Sequence, residues 1–257
     1  MNFMVMSGTR DAFDIISKLN ENPQLHITAT TTTSYGSQMA KDAGAHEVVP
    51  RGLKKEELVN LISQKKIDVL IDATHPFAVK ATRNAISASK ATGIYYIRFE
   101  RPPVKIQDNP LIIKTLSFKE ASRVASTMTK GNIMHLAGVS TLDEVISHND
   151  PDKVFVRVLP VIDSVEKCLE IGLKPQHIIA MQGTFSKNFN KALLEEYKIS
   201  LIITKESGEA GGTPSKLAAA LELGLNVVMI MRPQIKELEE EKVVHSMDEI
   251  LNILDNK

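Results

Sequence analysis

Several features are scarce in this chain of 257 residues, and each scarcity excludes a class of protein. The single cysteine, Cys168, excludes an intramolecular disulfide and a cysteine-based zinc site, and it fits a reducing cytoplasm. No apolar run is long enough for a membrane span or a signal peptide. Lysine plus arginine and aspartate plus glutamate number 31 each, so no global field attracts nucleic acid. We therefore expect a cytoplasmic protein that binds neither membrane nor nucleic acid.

Common catalytic motifs are also absent. There is no Gly-x-Ser-x-Gly elbow, which argues against α/β-hydrolase chemistry. The seven histidines show no i, i+4 pairing, so no zinc motif is visible and no metal site is expected. No lysine stands four residues after any tyrosine, so the Tyr-x-x-x-Lys pair of short-chain dehydrogenases is missing.

Short apolar runs of strand composition alternate with amphipathic segments of helical period along the whole chain. From residue 3 to residue 98 the predicted order is βαβαβαβαβ, which is typical of a parallel, doubly wound sheet. Pro102, Pro103 and Pro110 mark a linker, and a second α/β pattern follows it. We predict two Rossmann-like domains with mainly parallel sheets, residues 1–103 and 111–257, with an active-site cleft between them.

The stretch DATHPFA, residues 72–78, is the centre of the first predicted domain. It follows the apolar strand at residues 67–71 and precedes a helical pattern, so it lies at the carboxyl edge of the sheet, where ligands bind. Thr74 is expected to cap the helix and Pro76 to occupy its first turn. The pattern leaves two interpretations open: a site containing Asp72 and His75, or a capped helix start whose Asp and His are solvated.

Two further turns of the first domain suit a dinucleotide. The turn Ser7-Gly8-Thr9-Arg10 lies between a strand and a helix, where backbone N–H groups face a phosphate, although only one glycine of the dinucleotide fingerprint is present. Residues 30–36, TTTTSYG, end the second strand, where NAD-binding folds carry an acid for the ribose diol. Hydroxyls at this place favour the 2′-phosphate of NADP. An ordinary tight turn and a threonine-rich strand end are the alternatives.

The loop KESGEAGGTPSK, residues 205–216, is the second informative stretch. Three glycines and two serines lie between a strand and a helix, and a lysine flanks the loop on each side. Glycines let a ligand approach the backbone, and the helix start favours an anion. The spacing does not match a Walker A loop. A flexible loop with solvated lysines is the alternative.

Taken together and in this order, these motifs resemble the precorrin-6A reductases of cobalamin biosynthesis, including the cobalt-dependent branch. The matching pieces span nearly the whole chain. They are Gly8-Thr9, Thr33-Ser34-Tyr35-Gly36, residues 72–78, Arg98-Phe99-Glu100-Arg101-Pro102, residues 181–186 (MQGTFS), Lys205-Glu206-Ser207-Gly208, Gly211-Gly212, Lys216 and Arg232-Pro233.

The resemblance implies an NAD(P)H-dependent oxidoreductase acting on a CH–CH group. A hydride would reach one carbon of a ring double bond of precorrin-6A, or of its cobalt form, and a proton its neighbour, to give precorrin-6B. NADP(H) is the implied cofactor, with NAD(H) as the alternative. The expected cofactor-binding residues are Gly8, Thr9 and Arg10 near phosphate, and Thr33, Ser34, Tyr35 and Gly36 near the adenosine ribose.

The implied substrate is a tetrapyrrole that carries many carboxylates, so charge-assisted hydrogen bonds from cations would hold it. The expected substrate-binding residues are Arg101, Lys205, Ser207, Gly211, Gly212, Lys216 and Arg232. Asp72 or His75 would donate or relay the proton, with bound solvent as the alternative. For each cation the alternative is a solvated charge at the sheet edge.

Two other functions stay open at this point. One is a non-catalytic protein that binds a tetrapyrrole or a dinucleotide, and the other is a different NAD(P)-dependent enzyme such as a sugar-nucleotide reductase. Oxidation of NADPH only in the presence of the macrocycle would separate the reductase from the binding protein.

Overall fold

The computed structural model describes residues 1–255, which form two compact units. The first unit comprises Met1–Pro102 together with the chain from Pro233 onward, and the second comprises Pro103–Arg232. Within residues 1–255, no helix is both long and apolar enough to cross a membrane. The same residues contain no group of three or more His, Cys, Asp or Glu side chains placed to hold a metal ion.

Strands and helices alternate through both units. The strands are β1 (Asn2–Met6), β2 (His26–Thr30), β3 (Glu47–Val49), β4 (Val69–Asp72), β5 (Tyr95–Phe99), β6 (Ile112–Thr115), β7 (Asn132–His135), β8 (Val154–Val158), β9 (Ile178–Ala180), β10 (Ile199–Lys205), β11 (Asn226–Ile230) and β12 (Lys242–Val244). The α-helices are α1 (Arg10–Asn20), α2 (Ser34–Asp42), α3 (Lys55–Lys65), α4 (Val79–Thr92), α5 (Phe118–Met128), α6 (Leu142–Ile146), α7 (Ile162–Glu170), α8 (Lys187–Glu196), α9 (Thr213–Glu222) and α10 (Met247–Asp255).

The first unit contains a six-stranded parallel sheet in the order β3-β2-β1-β4-β5-β12. Strand order reverses between β1 and β4, and in doubly wound sheets ligands bind at the carboxyl ends of the strands beside such a reversal. Helix α1 shows how the sequence builds the layers, since Ala12, Ile15, Ile16 and Leu19 recur at helical spacing and are all buried. Truncating Leu19 to alanine would cost about 2–5 kcal/mol.

The second unit contains another six-stranded parallel sheet, in the order β6-β11-β10-β7-β8-β9. Its central strand β10 is buried along most of its length, which explains the continuous apolar run at residues 201–203. Strand β10 ends at Lys205, and the reversal of strand order lies between β7 and β10. The fold class predicted from the sequence, two mainly parallel α/β domains, is therefore confirmed, whereas the cleft between them stays a prediction.

The boundary of the second unit differs from the predicted one. Residues after Pro233 do not continue the second sheet, because β12 pairs in parallel with β5 at the edge of the first sheet. Val244 and Ile250 are fully buried in the first hydrophobic core. This return has only a weak signal in the sequence, since β12 has three residues and only Val244 is buried among them.

Candidate active site

Asp72 ends β4 and lies directly beside Arg98 of β5, its register partner. Both side chains are fully buried, and Asp72 Oδ1 lies 2.9 Å from Arg98 Nη1. The carboxylate also accepts hydrogen bonds from the Thr74 backbone N–H at 3.0 Å, the Thr74 hydroxyl at 2.6 Å and the Tyr96 hydroxyl at 3.1 Å. Burial and the charge of Asp72 raise the pKa of Tyr96, which therefore stays a donor. This closed network favours a structural role for Asp72 over proton donation.

His75 lies in the turn between β4 and α4 and is half-buried. Its Nδ1 accepts a hydrogen bond from the Phe77 backbone N–H at 3.2 Å, so the neutral ring carries its hydrogen on Nε2. Helix α4 begins at Val79, and its N-cap, Ala78, makes no side-chain cap. The prediction that Thr74 caps this helix is wrong, because its hydroxyl binds Asp72 instead. Of the two predicted catalytic residues, Asp72 is fully buried and His75 is half-buried.

The turn after β1 is hydrogen-bonded to the residue that follows β4, Ala73. Gly8 has φ +122°, a region that favours glycine. Thr9 caps α1 by accepting from the Ala12 N–H at 3.2 Å, and its own hydroxyl donates to the Ala73 carbonyl at 2.9 Å. Arg10 is exposed on the first turn of α1. The turn predicted to bind phosphate is a capped helix start at the carboxyl edge of the sheet, and phosphate binding by this turn stays a prediction.

Residues 33–36 begin helix α2. The Thr33 hydroxyl accepts from the Gly36 N–H at 3.0 Å, and a Cβ on Gly36 would lie 3.0 Å from the same oxygen. Thr33 and Ser34 are exposed, and Tyr35 is half-buried. These four residues do not line the cavity of the first unit, whereas the three threonines that precede them, residues 30–32, do.

A cavity of about 510 Å³ opens at the carboxyl ends of β1, β2 and β4 in the first unit. Its volume lies within the range usual for small-molecule and cofactor sites. Its lining includes Ser7 and the threonines at residues 30–32, which carry hydroxyls, and the three basic residues Arg51, Lys54 and Lys80. No acidic side chain lines it within the described part of the chain. The sequence reasoning missed these three cations. Their one local signal was a pair of basic residues, Arg51 and Lys54, just beyond a short strand.

The first residue after β10, Glu206, is a second buried acid at a strand end. Only 1% of its side chain is exposed, and it forms an ion pair with Arg232, which follows β11. Its Oε1 accepts hydrogen bonds from the Gly208 N–H at 2.9 Å and the Val104 N–H at 3.1 Å. Arg232, predicted to bind substrate, is therefore neutralised within its own unit.

The glycine loop that follows is closed by its own hydrogen bonds. The Ser207 N–H donates to the Thr213 hydroxyl at 3.1 Å. A Cβ on Gly211 would lie 2.6 Å from the Ser207 carbonyl oxygen, so a side chain there would collide with backbone. Gly212 has φ +72° and is the N-cap of α9. Ser207, Gly211 and Gly212 thus shape the backbone that leads into this helix, and the alternative of a flexible loop is not favoured.

The predicted substrate cations fall into two groups. Arg101 forms an ion pair with Asp11 in the first unit, as Arg232 does with Glu206 in the second. Lys216 is buried, and burial together with the charges of Arg157 and Lys205 lowers its pKa to about 7. Burial also lowers the pKa of Lys205 to about 8.

The sequence reasoning missed Arg157, which lies on β8. Burial lowers the pKa of this arginine to about 10. Its Nη1 donates to Asn190 Oδ1 at 3.0 Å, and its guanidinium carbon lies 5.0 Å from the centre of the Phe185 ring. A single arginine in a strand of alternating pattern carries no sequence signal that separates it from an ordinary surface charge.

Comparison with known proteins gives concordant matches over nearly the whole chain. The family model described as "Precorrin-6x reductase CbiJ/CobK" matches residues 2–255. A protein of Methanothermobacter thermautotrophicus named cobalt-precorrin-6A reductase is 48% identical over 260 residues, covering 99% of this chain and 85% of the relative. A protein of the same name from Methanocaldococcus jannaschii is 43% identical, covering 91% and 92%. A solved structure named CobK precorrin-6A reductase superimposes with a TM-score of 0.77 at 20% identity, covering 100% of this chain and 97% of its own.

Proposed function

Because the chain belongs to the precorrin-6x reductase family, we propose that NADPH is the reductant with which it reduces cobalt-precorrin-6A. The protein is an oxidoreductase of cobalamin biosynthesis that acts on a ring C=C bond of a precorrin-6A substrate. A bound nicotinamide supplies hydride, and the chain supplies binding, orientation and a proton. A non-catalytic binding protein and an unrelated reductase are thereby set aside.

The cavity of the first unit carries the proposal for the cofactor. It lies beside the reversal of strand order, where doubly wound folds bind dinucleotides. Where NAD-binding folds place an acid for the ribose diol, this chain has threonines. Arg51, Lys54 and Lys80 line the same cavity. Hydroxyls and cations without a lining acid fit a 2′-phosphate, which is an anion that accepts hydrogen bonds.

The predicted contacts of the first turn and of α2 remain part of this proposal. The start of α1, with Gly8, Thr9 and Arg10, offers helix N–H groups to the pyrophosphate. Thr33, Ser34, Tyr35 and Gly36 lie directly after the cavity-lining threonines and would flank the adenosine ribose.

Direct titration tests the cofactor. We expect NADPH to bind more tightly than NADH, and Lys80→Ala to weaken NADPH about ten- to hundredfold because one charge-assisted hydrogen bond is lost. NADH affinity should stay unchanged in that variant. Arg123→Ala, which removes an exposed arginine from α5, is the control. Equal affinity of the parent protein for NADH and NADPH would contradict the preference for NADPH but not the proposed location of the cofactor site.

The cobalt form of the substrate is proposed from the names of the relatives, which at 48% and 43% identity are both cobalt-precorrin-6A reductases. Of the residues expected to donate or relay the proton, His75 is retained because Asp72 is fully buried in its ion pair. Assays with precorrin-6A and with its cobalt form, each with NADPH, test the substrate. Faster turnover of the metal-free form would contradict the proposal.

A further inference from the structure

The cavity of the first unit has an apolar part as well as hydroxyls and cations. Its lining also includes Leu53, Phe77, Ala78, Val79 and Ala81, all of which are half-buried. These residues come from two segments, the loop between β3 and α3 and the turn that leads into α4. Ligand sites are lined mainly by apolar side chains, with a few polar groups that fix the orientation of the ligand. The apolar part of this cavity therefore suits a flat, uncharged ring.

Asn84 supplies a polar group beside these apolar residues. It lies on α4, one turn after Lys80, and within the described part of the chain it is the one lining residue with a side-chain amide. Its Nδ2 donates to the Leu53 carbonyl oxygen at 3.2 Å, and no other described residue bonds to this side chain. An amide has two N–H donors and an acceptor oxygen. One N–H and Oδ1 of Asn84 are therefore available to a ligand.

The bond to Leu53 fixes which way the amide of Asn84 faces. In a flipped amide, Oδ1 would face the Leu53 carbonyl oxygen, and two acceptors would meet. The order of donor and acceptor that Asn84 presents is thus set by the protein. An asparagine amide pairs with adenine by accepting from the exocyclic amine and donating to a ring nitrogen. In a 6-oxopurine the exocyclic group is itself an acceptor, so the same amide orientation would not suit it.

The covalent structure of NADPH restricts which of its rings can enter this cavity. The 2′-phosphate and the adenine are attached to neighbouring carbons of one ribose, whereas the nicotinamide lies beyond the pyrophosphate. If the threonines and cations of the cavity bind the 2′-phosphate, the ring beside that phosphate is the adenine. The cavity volume of about 510 Å³ is that of a site for a whole small molecule, which leaves room beyond a phosphate group.

We infer that the apolar part of this cavity is the adenine subsite and that Asn84 selects a 6-aminopurine. The inference rests on the proposed function, because it takes NADPH as the ligand. Leu53 and Val79 would contact the ring, and Asn84 would accept from its amine through Oδ1 and donate to a ring nitrogen through Nδ2. Asn84 is thereby a specificity-determining residue for the cofactor, and the Leu53 carbonyl sets its preference.

The test compares NADPH with its hypoxanthine analogue, in which an oxygen replaces the adenine amine. The affinity for each dinucleotide is measured by fluorescence titration without substrate. We expect the parent protein to bind NADPH about ten- to hundredfold more tightly, because in the analogue Oδ1 of Asn84 loses its donor and meets an acceptor. Asn84→Leu should bind the two dinucleotides equally, because it has no amide. Asn60→Leu, which replaces an exposed asparagine of α3 in the same unit, is the control and should keep the preference.

The ratio of the two affinities separates recognition of the base from a structural role. If Asn84 only tethers the loop at Leu53 to α4, Asn84→Leu will weaken both dinucleotides by the same factor, and the unchanged ratio will overturn the inference. Adenosine 2′,5′-bisphosphate, which has the base and no nicotinamide, gives a second measurement. Asn84→Leu should weaken its binding by the same factor as that of NADPH. A bisphosphate affinity equal to that of the parent would overturn the inference, because Asn84 would then bind another part of the cofactor.

The outcomes for the parent protein separate this inference from the proposed function. A parent that binds NADPH and the hypoxanthine analogue equally well overturns the adenine subsite and leaves the proposed cofactor in place. A parent that binds neither NADPH nor NADH contradicts the proposed cofactor, and the adenine subsite is overturned with it.

Discussion

Replacing Lys216 by methionine should stabilise the free protein while it weakens the binding of substrate. The lysine side chain is buried, and burial together with two nearby cations lowers its pKa from 10.5 to about 7. Each pKa unit corresponds to about 1.4 kcal/mol, so holding the charged amine in the fold costs about 4–5 kcal/mol. Methionine keeps the apolar stem and removes the charge.

The sign of the pH dependence follows from the lowered pKa. Below about pH 7 the amine is charged in the folded and the unfolded protein, so the full cost is present. Between about pH 7 and the unfolded pKa of 10.5, the unfolded chain holds a proton that the folded chain lacks, and the free energy of unfolding rises with pH. From about pH 6 to about pH 9 the parent should gain roughly 2–3 kcal/mol relative to Lys216→Met.

Urea denaturation followed by far-UV circular dichroism at the two pH values measures this difference. If two transitions resolve, the comparison uses the one assigned to the second unit. Lys119→Met should change stability by less than about 0.5 kcal/mol at either pH, as is usual for an exposed site. Lys216→Met that is less stable than the parent by the same amount at both pH values would refute the reasoning, because Lys216 would then be a structural residue.

Three further predictions concern the strand ends. Asp72→Asn should lower the free energy of unfolding by about 3–5 kcal/mol because the buried Arg98 loses its counter-charge, and the double variant with Arg98→Met should recover much of the loss in urea denaturation. Gly211→Ala should cost more than about 1 kcal/mol, because its Cβ would lie 2.6 Å from the Ser207 carbonyl; a melting temperature equal to that of the parent would contradict this. His75→Gln should lower kcat about 10²–10⁴-fold with NADPH affinity unchanged if the imidazole handles the proton, and an unchanged kcat would assign the proton to solvent.

The order of strands and helices was predictable because hydrophobic periodicity and turn-forming residues are local features of the sequence. Helix α4 occupies Val79–Thr92, the segment whose alanines and isoleucine recur at helical spacing. Two parallel sheets follow from strands that alternate with helices. The return of β12 to the first sheet was not predictable, since a three-residue strand with one buried side chain carries almost no pattern.

The candidate site was predictable in position but only partly in role. The sequence places Asp72 at a strand end, yet its partner Arg98 is 26 residues away and becomes its neighbour only through the register of β4 and β5. The cations that line the cavity of the first unit, Arg51 and Lys80 among them, come from segments that share no motif. Side chains that meet through tertiary structure leave no spacing in the sequence from which to infer the contact.

Counter-charge decides which cations at these sheet edges are available to an anion. In both sheets an acid at or just after the end of one strand pairs with an arginine of the neighbouring strand end, as Asp72 does with Arg98 and Glu206 with Arg232. Each of these acids also accepts backbone N–H bonds, so the pair fixes the loop that follows the strand. Lys216 donates instead to the neutral Gly211 carbonyl, and its pKa is lowered by burial and by the neighbouring cations. Position at a carboxyl edge therefore identifies a candidate cation for ligand binding. Whether that cation is available depends on whether the neighbouring strand end supplies an acid that forms an ion pair with it.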